Sequence, residues 1–290
     1  MATVGSGRYT YELIENWGKL PAGETFGMVS AIATDSQDRV FAFQRKEPPM
    51  LIFDRDGNLT GSWGNGSFEF AHGIHIADDI IYVTDRNTSV CIMYTLDGKP
   101  IQMLGRHGVH SDTGCENPGD LVPRAAGPFN YPAELVPSAS GDLYVADGYR
   151  NSRVHRFSND GQLKKSWGEP GKQAPNEFHL PHSILVDGDN VVVCDRENDR
   201  IQIFGLDGDF KEIWDDIQRP MDISMDTEGN YMVSEGQRDN SARISILDKK
   251  GAVLSRFDCR GSGHGSWIDS RGDIYLGGVP DAIDKYVRRG

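Results

Sequence analysis

The sequence lacks long hydrophobic runs, is poor in cysteine and has fewer basic than acidic residues. No stretch approaches about 18 consecutive apolar residues, so we expect no transmembrane helix, and the opening MATVGSGRYTYELIENWG contains no apolar segment of a signal peptide. The 4 cysteines show no C-x-x-C spacing, so we expect reduced thiols and a cytoplasmic location. Lys and Arg number 30 against 43 Asp and Glu, and this net charge of −13 argues against nucleic acid or an anionic membrane as a partner.

Glycine, by contrast, is abundant, and its 34 copies fall at regular places, as many tight turns require. One strand-like segment recurs along the chain, each time after a turn signal and with a β-branched or aromatic centre. Its versions are DRVFAFQR (38–45), DIIYVTDR (79–86), GDLYVADG (141–148), DNVVVCDR (189–196), GNYMVSEG (229–236) and GDIYLGG (272–278). The chain is therefore predicted to be a repeat protein.

Each repeat also contains a hairpin, such as LIFDRDGNLTGSWG or VHRFSNDGQLKKSWG, and a short strand in front, such as HGIHIA or HSILVD. Four short antiparallel strands in roughly forty residues, repeated six times, are typical of a six-bladed β-propeller. The last repeat lacks an outer strand, and YELIENWG near the N-terminus is predicted to supply it. We predict an all-β fold and one domain over residues 1–290, with an insertion at 106–130 between the second and third blades.

Histidine recurs at one position of the repeat. The equivalent residues at the start of the innermost strand are Ser30, His72, Ala133, His182, Met221 and His264. Alternate blades of a six-bladed ring lie about 120° apart, so His72, His182 and His264 are expected to converge. Three imidazoles suit a catalytic zinc, and also iron, copper or nickel. The alternative is that three unrelated structural histidines coincide in position.

A second position of the repeat, directly after the end of the next strand, is rich in arginine, and we call its equivalent residues the arginine column. Its members are Arg45, Arg86, Gly148, Arg196, Gly236 and Gly278. The innermost strands of a propeller line its central channel. If Arg45 and Arg196 face this channel, as the histidines are expected to, they could hold a carboxylate or stabilise the ionised phenol of Tyr149. Surface salt bridges or contacts between blades are the alternative for each arginine.

Acidic residues precede the same column, at Asp85, Asp147, Asp195 and Glu235. Because short acidic side chains often bond to nearby backbone, we interpret this column as turn and backbone anchors within each blade.

At these residues the chain resembles a known family. The repeats resemble NHL-type propellers, and ADGYRNSR together with PHSILVDGDNVVVCDREN is similar to the catalytic core of peptidyl-α-hydroxyglycine α-amidating lyase. The resemblance covers nearly all six repeats. It implies a six-bladed propeller with a three-histidine zinc site, a catalytic tyrosine and neighbouring arginines. The family splits R–CO–NH–CH(OH)–COO⁻ into an amide and glyoxylate.

Carried over by motif, the resemblance implies that the metal ligands are His72 in AHGI, His182 in PHSI and His264 in GHGS. It implies Tyr149 in DGYRNSR as the catalytic base, with the metal as Lewis acid on the substrate hydroxyl. Arg45 in FAFQR and Arg196 in CDREN would hold the phenolate charge or the substrate carboxylate.

The chain also departs from the family. Gly265 stands where the family has an aspartate that helps bind a structural calcium, which argues against that calcium site. Arg150 replaces a disulfide cysteine, and Val192 and Ile203 replace another pair, in keeping with a cytoplasmic protein. Arg86 is an additional cation, which we assign to substrate binding, and the substrate need not be a peptide.

Three hypotheses for function follow. The first is a metal-dependent lyase acting on a small hydroxylated, carboxylate-bearing substrate. The second is a lactonase-like metal-dependent hydrolase, although many propellers of that kind use calcium with carboxylate or asparagine ligands. The third is a non-catalytic scaffold that binds proteins, which predicts no stoichiometric metal.

Overall fold

The computed structural model describes residues 3–238 and 241–290. The protein is all-β with a six-bladed propeller arrangement, as the repeats predict, and the described residues contain no α-helix. The chain separates into two compact units. The terminal unit comprises Met1–Phe68 and Met221–Gly290, and the middle unit comprises Glu69–Pro220. The expectation of a single domain stays a prediction.

The first part of the terminal unit contains one complete four-stranded sheet. The strands in this part of the chain are β1 (Thr3–Ser6), β2 (Tyr9–Ile14), β3 (Val29–Thr34), β4 (Val40–Gln44), β5 (Met50–Phe53) and β6 (Leu59–Trp63), and the last four form the sheet. Strands β3 to β6 pair in sequence order and antiparallel.

The middle unit contains three four-stranded antiparallel sheets. The first is β7 (Ala71–Ala77), β8 (Ile80–Asp85), β9 (Val90–Thr95) and β10 (Pro100–Gly105). The second is β11 (Pro132–Pro137), β12 (Leu143–Asp147), β13 (Arg153–Phe157) and β14 (Leu163–Trp167). After the short parallel pair β15 (Glu169–Pro170) and β16 (Glu177–Phe178), the third is β17 (Pro181–Asp187), β18 (Asn190–Asp195), β19 (Arg200–Gly205) and β20 (Phe210–Trp214). One 3-10 turn, η1 (Arg196–Asn198), follows β18.

The rest of the terminal unit contains the last two sheets. One is β21 (Pro220–Met225), β22 (Tyr231–Glu235), β23 (Arg243–Leu247) and β24 (Val253–Asp258). The other contains β25 (Ser266–Ile268), β26 (Ile274–Val279) and β27 (Ala282–Arg288), followed by β2 and β1. The register pairs Tyr11 with Arg288 and Ile14 with Lys285, so the N-terminal strand completes the last blade as predicted. Strand β1 adds a fifth strand that the repeat pattern did not predict.

Short glycine turns set the hairpins that the sequence pattern indicated. The N–H of Gly57 donates to the carbonyl of Asp54, and the N–H of Gly161 donates to the carbonyl of Ser158. Both glycines have positive φ, at 82° and 85°, which favours a residue without a Cβ.

The hydrophobic core lies between the resulting sheets. In one cluster of the middle unit, Tyr144 and Trp167 pack with Phe204, and the ring centroids of the last two are 6.0 Å apart.

Buried carboxylates anchor the loop in front of several innermost strands. Asp85 accepts hydrogen bonds from the backbone N–H groups of Glu69 and Phe70, just before His72. Asp195 accepts one from the N–H of His179, just before His182, at 2.8 Å. Asp147 accepts one from the N–H of Asn130 in the same way. The interpretation of these acids as backbone anchors is confirmed for the middle unit, and their effect is to fix the start of each innermost strand.

Residues 106–131 contain no strand and connect β10 to β11. Within the described part of the chain, no helix has the length and apolar character that crossing a membrane requires.

Candidate active site

Two of the predicted histidines meet in the middle unit. His72 and His182 are the second residues of β7 and β17, with 2% and 3% of their surface exposed. Their ring centroids lie 4.9 Å apart. The Nδ1 atom of His72 lies 2.8 Å from the carbonyl oxygen of Ala133, so Nδ1–H donates to that carbonyl. With the proton on Nδ1, the neutral ring of His72 carries its lone pair on Nε2.

Tyr149 lies between the two imidazoles. Its phenolic oxygen is 2.9 Å from Nε2 of His72 and 3.0 Å from Nε2 of His182. Arg196 Nη1 donates to the same oxygen at 3.2 Å. The phenol has one proton, so it can donate to only one histidine at a time while it accepts from Arg196. Tyr149 is 7% exposed, and this polar contact is therefore largely shielded from water.

The structure aligns Tyr149, rather than Gly148, with the arginine column. The backbone N–H groups of Arg86 and Arg196 donate to the carbonyls of Phe70 and Leu180, two residues before His72 and His182. The N–H of Tyr149 makes the equivalent bond to the carbonyl of Tyr131, two residues before Ala133. Gly148 is an extra residue, and a Cβ on it would lie 2.1 Å from the carbonyl oxygen of Pro181. Close contact with the backbone of a neighbouring strand explains the glycine, because a side chain at this position would clash.

Arg196 is held by an acidic neighbour. Its Nε atom donates to Oε1 of Glu197 at 2.8 Å, and Arg219 donates to that same oxygen at 3.1 Å. Glu197 thus restrains the guanidinium that reaches Tyr149. Glu197 lies in the DREN motif, but the sequence alone predicts no role for it, because it does not show which way the side chain points.

Arg86 is stacked among aromatic rings. Its guanidinium carbon is 3.7 Å from the ring centroid of Phe70 and 4.6 Å from that of Tyr149. Burial lowers the pKa of Arg86, and the electrostatic interaction with Tyr149 opposes that shift. An arginine remains charged in such a site, so Arg86 and Arg196 place two cations beside one phenol.

The remaining predicted site residues lie in the terminal unit. His264 is 5% exposed and lies two residues before β25. Its Nδ1 atom is 2.7 Å from the carbonyl oxygen of Ser30, so Nδ1–H donates to that carbonyl and the lone pair of the neutral ring is on Nε2. Arg45 follows β4, is half-buried, and its backbone N–H donates to the carbonyl of Met28.

Each of the three predicted histidines could contribute a ligand to a metal ion. His72, His182 and His264 are all buried, and each offers one ring nitrogen as a possible ligand. Carbonyl acceptors on the Nδ1 atoms of His72 and His264 are the kind of outer contact that orients metal-binding imidazoles. The donor set therefore fits a divalent transition metal, and its chemistry alone does not identify which one.

Known proteins share both the repeat and the fold. The NHL repeat model matches residues 178–204. Human NHL repeat-containing protein 3 is 29% identical over 255 residues, covering 82% of this chain and 69% of its own length. The probable peptidyl-alpha-hydroxyglycine alpha-amidating lyase of Caenorhabditis elegans is 26% identical over 217 residues, and the match covers 64% of this chain and 58% of that protein.

A solved structure of a streptogramin B lyase has the same fold. It superposes with a TM-score of 0.66 over 98% of this chain and 100% of that chain, at 15% sequence identity. This match shows the propeller fold. The chain carries an NHL repeat in a six-bladed β-propeller and is similar to peptidyl-α-hydroxyglycine α-amidating lyases, as its sequence predicted.

Proposed function

We propose that the protein is a metal-dependent lyase. It cleaves the C–N bond of a small α-hydroxy amide that carries a carboxylate, and it releases an amide and a glyoxylate-type product. One observation carries the proposal. The buried oxygen of Tyr149 lies within hydrogen-bond distance of two histidine Nε2 atoms and one arginine, which is an arrangement suited to proton transfer beside a metal.

His72, His182 and His264 would hold the metal, with zinc as the leading choice. When bound, such an ion supplies Lewis acidity toward a substrate oxygen. The structural calcium of the family is not part of the proposal, because Gly265 offers no carboxylate.

Tyr149 acts as the general base. As phenolate it takes the proton of the substrate hydroxyl, the O–H electron pair forms the new C=O bond, and the C–N bond breaks. The departing amide nitrogen keeps that bonding pair and receives a proton, which Tyr149 can return. Arg196 stabilises the negative charge on the phenolic oxygen, since its Nη1 donates at 3.2 Å.

Arginines also recognise the substrate carboxylate. Arg86 is partly buried and stacked on Phe70 and Tyr149, so its guanidinium is restrained before any substrate binds. Arg45 is assigned the same role or the stabilisation of Tyr149, by its repeat position. A cationic site in a chain of net charge −13 favours a small anion over a large polyanion.

The test is glyoxylate release from α-hydroxyhippurate. Purified protein is assayed for glyoxylate and benzamide with its metal, after dialysis against a chelator, and after zinc is restored. We expect activity to disappear on chelation and to return with metal. Metal-free protein as active as the loaded protein contradicts the mechanism.

The same assay separates the competing hypotheses. In ¹⁸O-labelled water, a hydrolase releases benzoate that carries one labelled oxygen, whereas the lyase reaction leaves the benzamide oxygen unlabelled. A scaffold contains no stoichiometric metal, and its metal content is then the same in wild type and in the His182→Ala variant.

A further inference from the structure

The insertion at 106–130 bonds to the backbone that carries Tyr149. The N–H of Gly119 donates to the carbonyl of Tyr149 at 2.7 Å. The hydroxyl of Thr113, a residue 1% exposed, donates to the carbonyl of Arg150 at 2.7 Å. Residues of the insertion therefore donate hydrogen bonds to the backbone carbonyls of both Tyr149 and Arg150.

The two N–H groups of the same dipeptide are also satisfied. Tyr149 N–H donates to the carbonyl of Tyr131, and Arg150 N–H donates to the carbonyl of Asn130, each at 3.2 Å. All four backbone polar groups of Tyr149 and Arg150 thus bond to residues between 113 and 131. A backbone with every donor and acceptor engaged has little freedom to move its side chain.

Comparison with the blades that carry Arg86 and Arg196 shows which of these backbone hydrogen bonds differ at Tyr149. The N–H groups of Arg196 and Glu197 make the equivalent bonds, to the carbonyls of Leu180 and His179. The carbonyls of Arg86 and Arg196 instead accept from Ser89 and Asp199, three residues along their own turns. Among the three blades of the middle unit, the carbonyl at this position bonds to a distant segment in the blade that carries Tyr149, whereas Arg86 and Arg196 bond within their own turns.

The side chain of Arg150 bonds to the insertion and so links it to the backbone beside Tyr149. Its Nε atom donates to the carbonyl of Cys115 at 2.9 Å, and Nη2 donates to the same oxygen. Its guanidinium carbon also lies 5.1 Å from the ring centroid of Tyr131. On the other side, Nε2 of His179 lies 3.1 Å from the carbonyl oxygen of Gly119, which ties the insertion to the loop before His182.

We propose that the insertion is a positioning element for the general base, with Thr113 and Arg150 as its positioning residues. This inference rests on the proposed function. Gly119 holds the carbonyl of Tyr149, Thr113 holds the carbonyl of the next residue, Arg150, and the Arg150 side chain keeps the loop in place through the carbonyl of Cys115. The phenol is thereby kept between His72 and His182.

The variants Arg150→Met and Thr113→Val remove the hydrogen bonds that these two side chains donate, and Arg150→Lys and Thr113→Ser retain a donor at each place. Arg124→Met is the matched control, because Arg124 lies in the same insertion but is exposed and pairs with Asp112. Each variant is measured for kcat and KM with α-hydroxyhippurate, for the pH profile of kcat, for bound metal, and for hydrogen–deuterium exchange of the peptide spanning 147–152.

We expect Arg150→Met and Thr113→Val to lower kcat about tenfold to a hundredfold, since a misplaced catalytic group costs that much. We expect KM to change less, bound metal to stay the same, the pH profile to shift, and exchange at 147–152 to accelerate. The Lys and Ser variants should recover part of each loss, and Arg124→Met should stay within about twofold of wild type.

Two outcomes would overturn the proposal. One is a kcat within about twofold of wild type for both Arg150→Met and Thr113→Val, and the other is unchanged exchange at 147–152 in both. If wild-type protein releases no glyoxylate, the proposed function fails, and the exchange comparison still decides whether the insertion positions Tyr149.

Discussion

At the scale of single residues, the contacts of Tyr149 account for most of the proposed chemistry. A phenol is a weak base in water, and it becomes useful when fixed cations stabilise its ionised form. Arg196 donates a hydrogen bond to the phenolic oxygen and Arg86 stacks on the ring, so two cations act on the same phenol from fixed positions. The two histidine Nε2 atoms on the same oxygen place that base beside the candidate metal ligands.

The variant Tyr149→Phe tests this arrangement. It retains the ring that packs against Arg86 but removes the oxygen, so we expect kcat to fall by about 10²–10⁴-fold, the usual worth of a general base. The metal content, measured by elemental analysis, should match wild type because the histidines are intact. A variant with more than a tenth of wild-type kcat would show that another group takes the proton.

The cysteines make a second prediction at this scale. Burial raises the pKa of Cys91 and Cys115 and raises that of Cys259 to about 12. The thiolate is the reactive form, so a higher pKa means less thiolate at a given pH and slower alkylation. We expect these three residues to react with iodoacetamide at pH 8 much more slowly than glutathione does, and to react fully in urea. Mass spectrometry of tryptic peptides measures both rates, and rapid labelling of the native protein contradicts the prediction.

At the scale of elements, strand β2 combines two buried tyrosines with different hydroxyl environments. The hydroxyl of Tyr9 donates to Asp226 at 3.1 Å and accepts from Asn230 at 2.6 Å. The buried hydroxyl of Tyr11 has no hydrogen-bond partner among the described residues. The strand that completes the last blade is therefore tied to the neighbouring sheet through one hydroxyl and packed through both rings.

The pair Tyr9→Phe and Tyr11→Phe separates these contributions. Removing the bonded hydroxyl of Tyr9 leaves buried partners unsatisfied and should lower the free energy of unfolding by about 1–3 kcal/mol. Removing the hydroxyl of Tyr11 should leave stability unchanged or slightly higher, because its burial is uncompensated. Urea unfolding followed by fluorescence measures both, and equal losses in the two variants would contradict this account.

At the scale of the whole molecule, metal binding is expected to couple to stability. A ligand that binds only the folded state stabilises it by about 2.7 kcal/mol when present at roughly 100 times its Kd. For a chain of 290 residues this corresponds to a rise in Tm of roughly 5 °C. We therefore expect a chelator to lower the Tm of the purified protein by about that amount, as measured by calorimetry.

Matched variants show whether the shift comes from the histidine group. His182→Ala removes a proposed ligand, and its Tm should no longer respond to the chelator. His107→Ala removes an exposed histidine of the insertion and should keep the full response. A chelator response that survives in His182→Ala would place the metal elsewhere.

The repeat made the fold and the histidine set predictable from sequence. Strand alternation and regular glycine turns depend on local geometry, so each blade could be recognised from its own residues. His72, His182 and His264 could be found because one repeat position recurs along the chain. The completing strand β2 was predictable for the same reason, since it resembles the outer strands of other blades.

The assembly of the site depends on contacts that form when the chain folds. The backbone hydrogen bond of Tyr149 to Tyr131 places it at the repeat position of Arg86 and Arg196, and Gly148 beside it lies against the backbone of Pro181, a contact between distant segments. The support of Tyr149 by Thr113 and Gly119 depends on how the insertion folds back. The recurring residues can be identified in the amino-acid sequence, because each repeat is a local pattern. The hydrogen bonds that orient these residues join segments far apart in the chain and exist only once it has folded.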